Sequence, residues 1–158
     1  MERDASHRAH ATVCPCRLRT QKQWWGVSLD APDGRELAHF YARLLDWQVF
    51  GDDEGGATVA PSEDAGYNLG FQTEKEYARP VWPAVDGQPQ MSMHLDIEVD
   101  DLDEVANAVK VGAEIASYQS QEKVRVMLDP AGHYRVIVQL EPSHDSVSGV
   151  PATPTAIK

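Results

Sequence analysis

Residues 27–45 read Val27-Ser28-Leu29-Asp30-Ala31-Pro32-Asp33-Gly34-Arg35-Glu36-Leu37-Ala38-His39-Phe40-Tyr41-Ala42-Arg43-Leu44-Leu45. Apolar and polar residues alternate through Val27–Ala31, the mark of a half-buried strand. Pro32-Asp33-Gly34 then breaks the strand, and Asp33 is placed to cap a helix. Leu37, Phe40, Tyr41, Leu44 and Leu45 follow at i, i+3, i+4, i+7 and i+8, the stripe of an amphipathic helix. Three short extended segments come next, at Trp47–Phe50, Ala57–Ala60 and Tyr67–Thr73, separated by Gly and Asp clusters.

The same order returns after residues 74–90, where Pro80, Pro83, Gly87 and Pro89 read as a linker. Met93–Val99 alternates strictly, and Asp101 is a cap for a helix with apolar positions Leu102, Val105, Ala106, Val109 and Val111. Gly112 stops that helix. Extended segments follow at Glu114–Tyr118, Val124–Leu128 and Tyr134–Leu140, the last two joined by the turn Asp129-Pro130-Ala131-Gly132. An offset of 68 residues aligns Asp33 with Asp101, Glu36 with Glu104 and Leu37 with Val105. A shared order of strand, helix and three strands therefore predicts an internal duplication. The expected fold is α+β, two βαβββ modules, with module one at 24–73 and module two at 91–141.

The chain has 158 residues, a size for one domain or a tight pair of modules. Hydrophobic residues at 42% and charged residues at 25% make a globular mixture. Net charge is −11. Residues 1–23 hold five basic and two acidic side chains, +3, so the remaining nine basic and 23 acidic side chains give −14. So acidic a body repels phosphate backbones, which excludes nucleic acid as an expected partner. No apolar run reaches the ~20 residues of a membrane span, and the first residues lack a secretory signal's apolar core. Cys14 and Cys16 cannot form a disulfide framework, and a cytoplasmic location is expected. Residues 1–23 and 142–158 read as disordered tails.

The helix Leu37-Ala38-His39-Phe40-Tyr41-Ala42-Arg43-Leu44-Leu45-Asp46-Trp47, the string His94-Leu95-Asp96-Ile97-Glu98-Val99-Asp100-Asp101-Leu102-Asp103 and the turn Leu128-Asp129-Pro130-Ala131-Gly132-His133 carry a resemblance. Together with the paired modules they resemble the vicinal oxygen chelate superfamily, which holds glyoxalase I, extradiol dioxygenases and bleomycin-resistance proteins. The resemblance spans about residues 24–141. It implies a cup-shaped mixed sheet with the helices outside, and a homodimer. Metal-dependent members place ligands on the first and last strand of each module. His94 matches one such position, but Gly26, Leu69 and Val136 fall at the other three. One donor in four does not hold an ion, so no metal and no cofactor is expected.

Strand parity then assigns the cup. Ser28 and Asp30 face inward on the first strand, as do His94, Asp96 and Glu98 on the fifth. On the ligand alignment Leu69, Phe71, Val136 and Val138 also take the cup side, and Gln72 and the linker residue Trp82 complete the expected ligand contacts. A His94–Asp96 pair is the candidate acid–base or anion-recognising group. Trp47 is expected to close the core, and His39 to be exposed. The expected function is binding of a small organic ligand, cationic or aromatic. The alternatives are a metal-dependent lyase, isomerase or dioxygenase using His94 with Gln72 or Glu141, and a dimeric module with a vestigial cup.

Overall fold

A computed structural model describes residues 24–100 and 105–139, with 135–139 described by backbone alone. The expected tails, the Asp101 cap, Leu102, Glu104 and Glu141 lie outside the described residues.

Strand β1 (Trp25–Ala31) leads into helix α1 (Gly34–Leu45). The Asp33 carboxylate caps α1 by accepting the Glu36 N–H at 2.9 Å. Leu37, Ala38, Phe40 and Tyr41 bury one face of it, and Asp52 receives Arg35 and His39 from its exposed side. Strands β2 (Gln48–Asp53), β3 (Gly56–Ala60) and β4 (Tyr67–Thr73) follow in the predicted places. Module two repeats the plan with β5 (Leu95–Val99), α2 (Val105–Lys110), β6 (Glu114–Ile115), β7 (Val124–Leu128) and β8 (Tyr134–Gln139).

The topology confirms the duplication. Sheet one has the order β1-β4-β3-β2 and sheet two the order β5-β8-β7-β6. In each, the first strand runs parallel to the last, and the third lies antiparallel to the last. Parallel neighbours need a crossover, which the helix supplies. The expected α+β cup of two βαβββ modules is the observed fold.

Helix α2 differs from its predicted face. Val105 and Ala108 are buried, whereas Ala106 and Val109 are exposed. Over Val105–Lys110 the i, i+3 pair Val105 and Ala108 is the part turned to the core.

Both modules share one core. Leu29, Leu37, Phe40, Tyr41, Val59 and Phe71 pack in a single cluster with Val105, Ala108, Met127 and Ala131, and Trp47 packs against its rim. At its centre sits a carboxylate. Asp129 is 1% exposed and accepts the Tyr41 hydroxyl at 3.1 Å from α1. It also accepts the His133 amide at 2.9 Å and faces the His133 Nδ1 at 3.0 Å. Being an acceptor, it fixes the proton of that ring on Nδ1. Gly132 turns the chain at φ +92°, and a Cβ there would lie 2.6 Å from the Arg79 side chain. The segment between the modules is a strap: Tyr77 donates to the Ala131 carbonyl at 2.9 Å and Arg79 to the Pro130 carbonyl at 3.0 Å. No helix among the described residues is long and apolar enough to cross a membrane.

This arrangement predicts an unequal pair of substitutions. Asp129→Ala removes the carboxylate that a buried imidazole and a buried hydroxyl face, for a loss of about 3–5 kcal/mol. Tyr41→Phe removes one of the donors and should cost about 1 kcal/mol. Urea unfolding of both variants measures the difference; equal losses would show that the carboxylate is not the centre of the network.

Candidate functional site

The faces of the two sheets that turn away from the helices carry the polar residues. On β1, Leu29 and Ala31 are buried while Ser28 and Asp30 are exposed. The parallel register sets Ser28 beside Gly70 and Asp30 beside Gln72, and the Gln72 amide donates to the Asp30 carboxylate at 2.7 Å. On β5, Asp96 and Glu98 are exposed between the half-buried Leu95, Ile97 and Val99.

Strand β4 corrects the expected parity. Phe71 is 3% exposed in the core, its ring centroid 4.7 Å from that of Tyr41, and Leu69 packs against the same cluster. Both lie on the helix side, because Phe71 registers with Leu29, itself a core residue. The alignment that put them in the cup was displaced by one residue, and one residue reverses every side chain of a strand. The backbones of Val136 and Val138 pair with Asp96 and Glu98; their expected inward side chains lie outside the described residues.

The predicted residues are divided between two places. Ser28 and Asp30 line a cavity of about 320 Å³ along β1, with Glu74, Glu76, Tyr77 and His133 among its polar walls. Leu29, Ala78, Pro80, Met91 and Met93 supply its apolar surface. Among the described residues no Lys or Arg lines it. His94 and Asp96 are not among them either, and stand instead beside an aromatic ledge. The His94 Nε2 lies 3.4 Å from the Asp96 Oδ1, and its ring stacks on Tyr134 at 5.0 Å. Tyr134 in turn lies tilted against Trp82, with ring centroids 4.4 Å apart, and the Trp82 indole N–H donates to the Tyr118 carbonyl at 3.3 Å.

Sequence reasoning missed Tyr134, Tyr77 and His133. Tyr134 carries a readable signal: it is two residues before Val136, on the same parity of a strand parallel to β5. Tyr77 sits in a proline-rich segment without period, so only the fold brings it to the cavity. Burial raises the Tyr134 phenol above its ordinary range, and the Asp96 charge adds to this. Tyr77 is pushed up to about 12, first by burial and then by the Asp129 charge.

A divalent ion of the kind that the superfamily resemblance implies needs about three protein donors. His94 and Asp96 offer two. At the position in module one that matches His94 stands Gly26, and a Cβ there would lie only 2.1 Å from the Asn68 Oδ1. Among the described residues no three His, Cys, Asp or Glu are grouped to hold a metal. Among the described residues, the donors beside His94 fall one short of that number.

The Tyr77 phenol sets a pH dependence. In the unfolded chain it ionises near pH ~10, so unfolding releases its proton across the interval up to about 12. The stability it contributes is complete below the lower value and is lost as pH rises through the interval. Near-ultraviolet absorbance should show a tyrosine step near pH about 12, and Tyr77→Phe should remove it. A step there that survives the substitution assigns it to another tyrosine.

A model of a glyoxalase-like domain matches residues 26–138. Among solved structures, the fold is similar to that of a glyoxalase/bleomycin resistance protein/dioxygenase family enzyme from Burkholderia phytofirmans PsJN, with TM-score 0.50 and 16% identity, covering 72% of this chain and 95% of that one. A hypothetical protein from S. aureus has TM-score 0.50 and 15% identity, covering 77% of this chain and 95% of its own. No curated protein matches by sequence.

Proposed function

Since the chain belongs to the glyoxalase-like domain family, we propose that it binds a small organic cation in the cavity along β1, without a complete metal site. The lining of that cavity supports this reading: among the described residues it is about 320 Å³ with three carboxylates, Asp30, Glu74 and Glu76, one imidazole, His133, and no Lys or Arg. Its size falls in the ~300–1,000 Å³ range of small-molecule sites.

The chemistry follows from the walls. An organic ammonium that enters loses hydration and gains carboxylate partners, and the remaining walls match its hydrocarbon. Met91 and Met93 add polarisable sulfur that adapts to irregular shapes. An anion of equal size meets three like charges instead. Asp30 is already oriented by Gln72, so part of the ordering cost is met before binding. Residence in the cytoplasm and a homodimer accompany this proposal on sequence and resemblance alone.

The ledge favours a second reading. An imidazole stacked on Tyr134 and facing a carboxylate suits a flat aromatic ligand or a proton transfer to one, and it is where a superfamily lyase, isomerase or dioxygenase would use His94. A vestigial cup is the remaining alternative.

Calorimetric titration with a series of alkylammonium ions and matched carboxylates tests the proposal. Ammonium ions should bind saturably and carboxylates should not. The double variant Asp30→Asn/Glu76→Gln should weaken the cations roughly fivefold to tenfold per charge, on ~1 kcal/mol for each exposed ion pair. Unchanged affinity in that variant, or no binding of any cation, defeats the reading. Stoichiometric metal in protein purified without chelators, lost on His94→Ala, would establish the metal-dependent alternative.

A further inference from the structure

The wall of the cavity along β1 holds an imidazole beside its carboxylates. His133 lines the cavity next to Tyr77, is only 8% exposed, and has both ring nitrogens against protein partners. Nδ1 lies 3.0 Å from the Asp129 carboxylate, and Nε2 lies 3.3 Å from the Tyr77 hydroxyl. A phenol has one proton to donate, and that of Tyr77 goes to the Ala131 carbonyl at 2.9 Å.

These contacts make the network sensitive to one proton. A carboxylate only accepts, so Nδ1 carries a proton, and a phenol donating elsewhere turns only lone pairs to Nε2. With a second proton on Nε2, each contact from Asp129 through His133 and Tyr77 to Ala131 pairs a donor with an acceptor. Without it, either two acceptors face each other or Tyr77 turns to the ring and leaves the Ala131 carbonyl. Among the described residues, the charged and titratable groups placed about the ring come from several elements. Asp129 belongs to its own turn, and Tyr41 of α1 donates to Asp129. The strap adds Tyr77 and also Arg79, which packs against Gly132. Asp30, Glu74 and Glu76 line the same cavity.

We propose, on the cation reading of this cavity, that His133 controls it: the protonated ring is an internal cation, and an organic cation binds as that proton leaves. With the imidazolium in place, the three carboxylates already have a positive charge in their own concavity, and a second one is repelled by it. When Nε2 gives its proton to solvent, Nδ1–H still faces Asp129 and the Tyr77 hydroxyl is within reach to donate to Nε2. The cavity is then more negative by one charge. Histidine ordinarily titrates near pH ~6.5, so affinity for a cation is low on the acid side and rises with pH. Linkage is reciprocal, so a cation that binds expels the proton.

Calorimetric titration of the full chain with tetramethylammonium, whose charge does not depend on pH, tests this. Affinity should rise roughly tenfold from about pH 5.5 to about pH 8, an interval above the ordinary carboxyl range. Buffers of different ionisation enthalpy should report a proton released on binding near pH ~6.5. His133→Gln should keep cation binding and lose both the pH dependence and the released proton. Tyr77→Phe, which takes away the acceptor facing Nε2, should keep the dependence and move it to lower pH. His39→Gln, on the exposed side of α1, should change neither. A dependence that survives His133→Gln belongs to another group and overturns the proposal. If His133→Gln does not fold, the Tyr77→Phe profile decides, and an unmoved profile overturns it. Affinity that is flat with pH in the unmodified chain refutes the role of His133 and leaves the cation cavity standing, whereas no binding at any pH removes both.

Discussion

A single buried carboxylate holds the two halves of this molecule in register. Asp129 gathers a hydroxyl from α1, and an amide and an imidazole from its own turn. Desolvating a carboxylate is expensive, and only a full set of donors offsets it. The donors come from module one and module two, so neither module can satisfy the group alone. The shared apolar cluster then packs around it, with Tyr41 contributing its ring to the core and its hydroxyl to the network.

The strap after β4 depends on the same turn. Tyr77 and Arg79 dock on the carbonyls of Ala131 and Pro130, and this draws the segment across the second module. Three residues later the strap delivers Trp82 to Tyr134. The cavity along β1 is one product of that path and the aromatic ledge is another. Residues 93 and 94, and 133 and 134, each give one member to the cavity and one to the ledge. Side chains alternate across an extended chain, so one backbone frame builds two surfaces of different chemistry.

Most of the fold was legible because it is repetitive. A capped amphipathic helix after an alternating strand, found twice, leaves few topologies, and the turn residues mark the hairpin. The site was less legible, and Phe71 shows why. Strand period alone gives two faces without saying which is inside. That choice came from a ligand alignment instead of from packing, and the alignment was off by one. The parallel register of β1 with β4, which sets Phe71 beside Leu29, decides it. Tyr77 was illegible for a different reason, since its position depends on a tertiary contact with a turn 54 residues away.

The acidity of the chain takes on a more specific meaning from this geometry. A net charge of −11 could be spread as a solvated coat, in which case each carboxylate would act mainly on solubility. Asp96 fits that description only in part, since it faces His94, and Glu98 is exposed. Asp30, Glu74 and Glu76 are different, because they converge on one concavity with apolar walls. Within a concavity the low-dielectric walls focus the field of like charges, and Gln72, which donates to Asp30, orients a carboxylate without cancelling its charge. In the proposed reading these three carboxylates are the groups that would receive a cation.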